Sequence, residues 1–136
     1  ILSLDNFQNV NYVQAISKLI DPDKILDTSH VKVAISDDSK VLYFSRLPIP
    51  YPRDHDNNEG ATYFRCMGLY LYHKDLLLEY MKMKPTKLEN TEHIEQLRLI
   101  ENRVILHAVE VHDDGISIDT AEDLKIIRSQ YKDFFK

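Results

Sequence analysis

Between His30 and Arg46 the chain alternates apolar and polar residues in two runs, then meets a proline at every second position. Val31, Val33 and Ile35 stand against Lys32 and Ala34, Asp37-Asp38-Ser39-Lys40 is a polar turn, and Val41 to Arg46 returns. Period-two alternation on both sides of a short polar turn predicts a β-hairpin. Pro48, Pro50 and Pro52 follow at once. Proline donates no backbone hydrogen bond, so the sheet cannot continue through them. Each ring also fixes φ near about −65° and biases the residue before it toward extended geometry. The segment is expected to be a semi-rigid arm with Arg46 at one end and Arg53 at the other. A hairpin that stops so abruptly needs its sheet partners from elsewhere in the chain.

Those partners are legible. Tyr12 to Ile20 reads as a strand stopped by a turn at Asp21-Pro22-Asp23. Thr62 to Tyr72 is long and aromatic-rich, hence a central strand. Val104 to Val111 alternates again, and Asp113-Asp114-Gly115 turns into a very short strand, Ile116 to Ile118. Lys74 to Met83 is expected as a helix. A second opens near Asn90 or Thr91 and carries Ile94, Leu97 and Ile100 on one stripe. The last has a Thr120-x-x-Asp123 cap, with Leu124, Ile127, Tyr131 and Phe134 facing the core. Ile1, Leu2, Leu4, Phe7 and Val10 read as the end of a helix, and Arg53 to Gly60 as a mobile polar loop. Strands mixed with helices around one clear hairpin predict an α/β layered domain with a mixed sheet, a single unit over residues 1–136.

Size and charge narrow the function. A chain of 136 residues, 43% hydrophobic and 29% charged, can bury a real core and is not disordered in character. The net charge of −5 is spread without a basic stripe, which argues against nucleic acid as partner. An anionic ligand would need local arginines. No apolar run has membrane-spanning length, and no signal-peptide pattern opens the sequence. The lone Cys66 forms no internal disulfide and suits the reducing cytoplasm.

Candidate chemistry is sparse. The six histidines include no His-x₃-His spacing, and His107 and His112 are five apart, on opposite faces of a regular strand. A zinc site is not expected. Cys66, among apolar neighbours, reads as a buried inert thiol rather than a nucleophile. Gly60, Gly68 and Gly115 are isolated, so no phosphate-cradling loop is present. Asp119 falls between a short strand and a helix start. It is either a helix cap or a carboxylate that joins a hard metal ion. Glu95 and Gln96 are either solvated helix residues or paired groups able to read hydroxyls.

Several blocks in order, "HVKVAIS…VLYFSRLPIPYPRD", "RCMGLYLYHKDLL", "KLENTEHIEQLRLIEN" and "ISIDTAEDL", resemble the 3-deoxy-manno-octulosonate (KDO) cytidylyltransferase family, or CMP-KDO synthetases. The resemblance runs from about Tyr12 to the end. It implies a glycosyltransferase-A-like nucleotidyltransferase fold with a mixed sheet, usually dimeric. It implies an activity that couples CTP to KDO, releasing pyrophosphate and giving CMP-KDO for lipopolysaccharide synthesis with magnesium as the metal.

Carried over by position, Arg46 and Arg53 are expected to hold the sugar carboxylate, Tyr70 to contact the sugar, Glu95 and Gln96 to read its hydroxyls, and Asp119 to bind the metal. Two departures accompany the match. Cys66 stands where the family usually has histidine, and a thiol is a weak donor. The family's N-terminal nucleotide loop (Arg-x-x-Ser-x-Arg-x-Pro-Gly-Lys type) and its Gln-Gly-Asp-Glu-Pro metal block do not occur. The chain, which opens at Ile1 rather than methionine, is therefore expected to be the C-terminal, sugar-binding and dimerisation half, inactive alone. The competing expectations are a cytidylyltransferase for another acidic sugar, a non-catalytic dimerisation or regulatory module, and an unrelated α/β binding domain.

Overall fold

The computed structural model describes residues 10–53, 61–112 and 121–130. In chain order its elements are β1 (Tyr12–Leu19), α1 (Pro22–Leu26), β2 (Lys32–Ile35), β3 (Val41–Ser45), β4 (Tyr63–Tyr72), α2 (Lys74–Tyr80), α3 (Lys87–Glu92), α4 (Gln96–Glu101), β5 (His107–Glu110) and α5 (Ala121–Gln130). The strands form one sheet in the order β3-β2-β4-β1-β5. β1 runs parallel to β5 and antiparallel to β4, and β2 is antiparallel to both β3 and β4, so the sheet is mixed. The aromatic-rich strand is central, as its composition requires.

The hairpin forms as its alternation dictates, with Val33 opposite Phe44 and Ala34 opposite Tyr43. Its turn is fastened by Ser36, whose hydroxyl donates to Asp38 at 2.5 Å while the Lys40 N–H donates back to Ser36 Oγ at 3.1 Å. Ser39 takes φ 62° there. The tip then reaches the far side of the sheet. Val41 N–H donates to the Leu106 carbonyl and Ala108 N–H to the Ser39 carbonyl, both at 2.8 Å, so β5 has partners on both of its edges. Tyr12, Ile16, Val33, Phe44, Leu97, Leu99 and Leu106 are almost wholly buried and form the core between sheet and helices.

Several elements differ from the sequence expectation. Asp21-Pro22-Asp23 opens the helix α1 instead of a simple turn: the Asp21 side chain accepts from Asp23 N–H, and Pro22 sits at the first helical position, where its lost N–H costs nothing. The first of the predicted middle helices stops at Tyr80 rather than Met83. The second begins at Lys87, ahead of Asn90, because Thr86-x-x-Glu89 caps it: the Glu89 carboxylate accepts from Thr86 N–H at 3.1 Å. It is also two helices, broken at His93, whose backbone is left-handed at φ 53°, ψ 50°. The strand expected over Val104 to Val111 is confined to His107–Glu110. The proline arm is not uniformly extended. Its backbone bends at Arg46-Leu47 and again at Ile49-Pro50, a cis peptide. The expectations for the first residues, most of Arg53 to Gly60, Ile116 to Ile118, the Thr120 cap, Tyr131 and Phe134 lie outside the described residues.

Lys32 shows how tightly the sheet rim is held. It is fully buried, and its ammonium donates to the Asp27 and His30 carbonyls, each at 2.7 Å. Burial lowers its pKa. Among the described residues no helix is long and apolar enough to cross a membrane.

Candidate functional site

The chemistry gathers on the β1–β4 pair and the joint between α3 and α4. Tyr12 pairs with Tyr72, Gln14 with Tyr70, and Ile16 with Cys66. Residues opposite one another in a ladder share a face, so one side of these two strands presents tyrosine, amide and thiol groups together. The Tyr12 and Tyr72 rings meet edge to face, 4.8 Å between centroids. The Tyr12 hydroxyl donates to Gln14 Oε1 at 2.7 Å and has the Gln96 side chain as a second hydrogen-bond partner.

Electrostatics tie the same groups into one cluster. Burial, reinforced by Tyr72, Cys66 and Tyr70 close by, pushes the Tyr12 pKa up. Burial also pushes Tyr72 up to about 12, with Tyr80, Tyr70 and Glu95 acting in the same direction. The Cys66 thiol is pushed up to about 12 by burial alone. These hydroxyls and the thiol stay neutral at physiological pH. They are hydrogen-bonding groups, not bases or nucleophiles.

The α3–α4 joint carries Glu95 and Gln96 to this face, and two arginines hold it. Arg46, at the end of the hairpin, donates from Nε to the Glu92 carbonyl at 2.6 Å, from Nη2 to the His93 carbonyl at 3.1 Å and from Nη1 to the Thr28 carbonyl at 2.9 Å. Its backbone N–H donates to the Glu92 carboxylate at 3.0 Å. A guanidinium on the last carbonyls of a helix satisfies acceptors that the helix itself leaves open. Arg98 crosses between the helices: it makes a two-pronged ion pair with Glu89, donates to the Met83 carbonyl at 3.2 Å and lies 4.6 Å above the Tyr80 ring. Arg98 is the main cause of a lowered Glu89 pKa.

The structure thus brings Cys66, Tyr70, Glu95 and Gln96 together. Gln96 is buried, whereas Glu95 is exposed and Tyr70 is 46% exposed. Arg46 is fastened to the joint that carries Glu95 and Gln96, with three guanidinium N–H groups committed to the Glu92, Thr28 and His93 carbonyls. Arg53 is exposed at the far end of the arm, and among the described residues no contact ties it to the cluster. Asp119 lies outside the described residues. Among the described residues no group of three or more His, Cys, Asp or Glu could hold a metal ion. Tyr12, Gln14 and Tyr72 escaped the sequence reading. Their buried polar atoms acquire meaning only through cross-strand register.

A separate open groove of ≈ 740 Å³ lies between the arm and the end of the sheet, lined by Ile20, Leu26, Pro48, Tyr51 and Tyr63 among others. It is largely apolar and contains none of the polar cluster.

The mixed sheet, with hydroxyl and amide side chains converging on one strand pair, defines an α/β domain that carries a hydrogen-bonding surface on β1 and β4. Comparison with known proteins makes the class specific. The cytidylyltransferase family model matches residues 1–112. The 3-deoxy-manno-octulosonate cytidylyltransferase of Solibacter usitatus is 37% identical over 115 residues, covering 85% of this chain and 45% of that protein. The enzyme of the same name from Flavobacterium johnsoniae is 36% identical over 129 residues, 95% of this chain and 52% of the relative. A solved CMP:2-keto-3-deoxy-manno-octonic acid synthetase complexed with CTP superposes with a TM-score of 0.86 at 30% identity, over 96% of this chain and 53% of that one. The chain belongs to the cytidylyltransferase family. It spans about half the length of the curated relatives it matches.

Proposed function

We propose that this chain supplies the acidic-sugar site of a nucleotidyltransferase that joins CTP to KDO, giving CMP-KDO and pyrophosphate. The observation that carries the reading is the convergence of Tyr70, Cys66, Glu95 and Gln96 on one face of a chain whose relatives bear that activity in their names. In the reaction the sugar's anomeric oxygen attacks the α-phosphorus of CTP, and pyrophosphate leaves. This chain's part is to hold the sugar: Gln96 and Tyr70 toward its hydroxyls, with Arg53 and the donors Arg46 has left toward its carboxylate. Magnesium would be held by Asp119 together with substrate phosphates and would supply charge neutralisation on them. A homodimer belongs to the same reading, supported by the exposed apolar side chains of Leu69 and Leu71 on β4.

The test is pyrophosphate release from CTP, KDO and magnesium. The chain alone is expected to release none. The same chain replacing the matching half of the Flavobacterium johnsoniae relative is expected to restore release. A folded chimera that binds CTP but never turns over KDO would sink the proposal. A second reading, another acidic sugar as acceptor, is favoured by Cys66, whose buried neutral thiol is a poor donor. Preference of the chimera for a different keto-acid sugar would establish it.

A further inference from the structure

β4 carries a surplus of residues opposite β1. Between the pairs Ile16↔Cys66 and Gln14↔Tyr70, β1 has only Ala15, whereas β4 has Met67, Gly68 and Leu69. The surplus is even, so Cys66 and Tyr70 keep the same face. What changes is reach. The two residues stand opposite β1 positions only two steps apart, about 7 Å of strand, where a regular β4 would separate them by four steps, about 13 Å.

Something must hold the looped-out segment, because its carbonyls lose their regular ladder partners. Glycine does not dictate it: Gly68 has no positive φ, and a Cβ there would meet nothing within 4 Å. Gln14 does hold it. Its side chain is fully buried, and Nε2 donates to the Met67 carbonyl at 2.6 Å and the Leu69 carbonyl at 3.3 Å, with the Ala15 carbonyl also at 2.9 Å. Its Oε1 accepts from the Tyr12 hydroxyl, which in turn meets Gln96.

We propose that Gln14 is a positioning residue of the sugar site, stapling the Met67–Leu69 bulge so that Cys66 and Tyr70 converge and coupling that bulge through Tyr12 to Gln96. The inference rests on the sugar reading above and adds to it the pair of residues that sets the site's dimensions. Leucine at position 14 fills similar volume but leaves the Met67 and Leu69 carbonyls without a side-chain donor, so β4 loses its reason to bulge. Phenylalanine at position 12 keeps the buried ring and its packing on Tyr72, removing only the hydroxyl that orients the Gln14 amide.

The experiment titrates the ¹⁵N-labelled 136-residue chain with KDO, following Tyr70 and Gln96 resonances well below each variant's melting temperature. The unmodified chain should bind and show side-chain NOEs between Cys66 and Tyr70. Gln14→Leu should lose those NOEs and weaken KDO binding by about tenfold or more, and Tyr12→Phe should weaken it by a smaller factor. A purely structural glutamine would lower the melting temperature without changing affinity or the NOEs, and that result overturns the proposal. Should Gln14→Leu fail to fold, Tyr12→Phe decides, since unaltered affinity there is equally fatal. Failure of the unmodified chain to bind KDO overturns the sugar reading and this inference with it. Equal binding by unmodified chain and variants overturns this inference alone.

Discussion

Cys66 sits half-buried on β4 with its thiol raised to about 12 by desolvation. At pH 8 such a thiol is almost wholly protonated, so alkylation by iodoacetamide should run at least roughly a hundredfold slower in the folded chain than in urea. A rate within a few-fold of the unfolded one would show that burial does not control the group. The sequence indicated this inertness, because a cysteine between Arg65 and Met67 in an apolar strand has no cationic neighbour on its own face to stabilise a thiolate. Arg46 is the opposite case. Its chemistry as a fork for carboxylates was readable, yet the fold commits three of its N–H groups to the Glu92, His93 and Thr28 carbonyls. Residues 18, 46 and 47 positions away in sequence supply those acceptors, and nothing local announces them.

The α3–α4 joint is the element on which the site depends. Two six-residue helices are too short to stand alone, and the Glu89–Arg98 pair fastens them across the left-handed turn at His93. Arg98 holds the Glu89 carboxyl below its ordinary value of 4.5. A carboxylate with a depressed folded pKa contributes stability that is fully present above the unfolded value and is lost as pH falls through the folded one. Urea midpoints measured from pH 7 downward should therefore drop below about pH 4.5, and Glu89→Gln should lower stability at pH 7 while flattening that drop. The cost at pH 7 should be on the order of 2–3 kcal/mol, under that of a deeply buried pair because one edge of this one touches solvent. An unchanged acid limb in Glu89→Gln would place the pH sensitivity elsewhere, for example at Asp38, which Lys40 and Ser36 hold down near about 2. The helical stripe of Ile94, Leu97 and Ile100 was visible in the sequence. The break at His93, which leaves Ile94 in the joint ahead of α4, was not, since histidine carries no local signal for a left-handed turn.

Across the whole molecule, the hairpin tip meets β5 and gives the sheet's last strand a second set of backbone partners. An unpaired strand there would be a template for association with other chains. Ala108 N–H, donated to Ser39, should accordingly exchange with solvent on the same timescale as β1 amides such as Ile16, measured by hydrogen exchange. Exchange as fast as in an open edge strand would contradict the closure. Alternation, proline placement and apolar stripes determined, from the sequence by itself, that there is a hairpin, a long central strand and a mixed α/β layer, because those signals act between residues two to four apart. The tertiary structure alone decided which polar groups meet. Gln14 and Met67 are 53 residues apart and Arg46 and His93 47 apart, and only the register of β1 on β4 and the seat of the α3–α4 joint bring them within hydrogen-bonding reach. Buried donors and acceptors must find partners wherever the fold supplies them, and that requirement has no signature in local sequence.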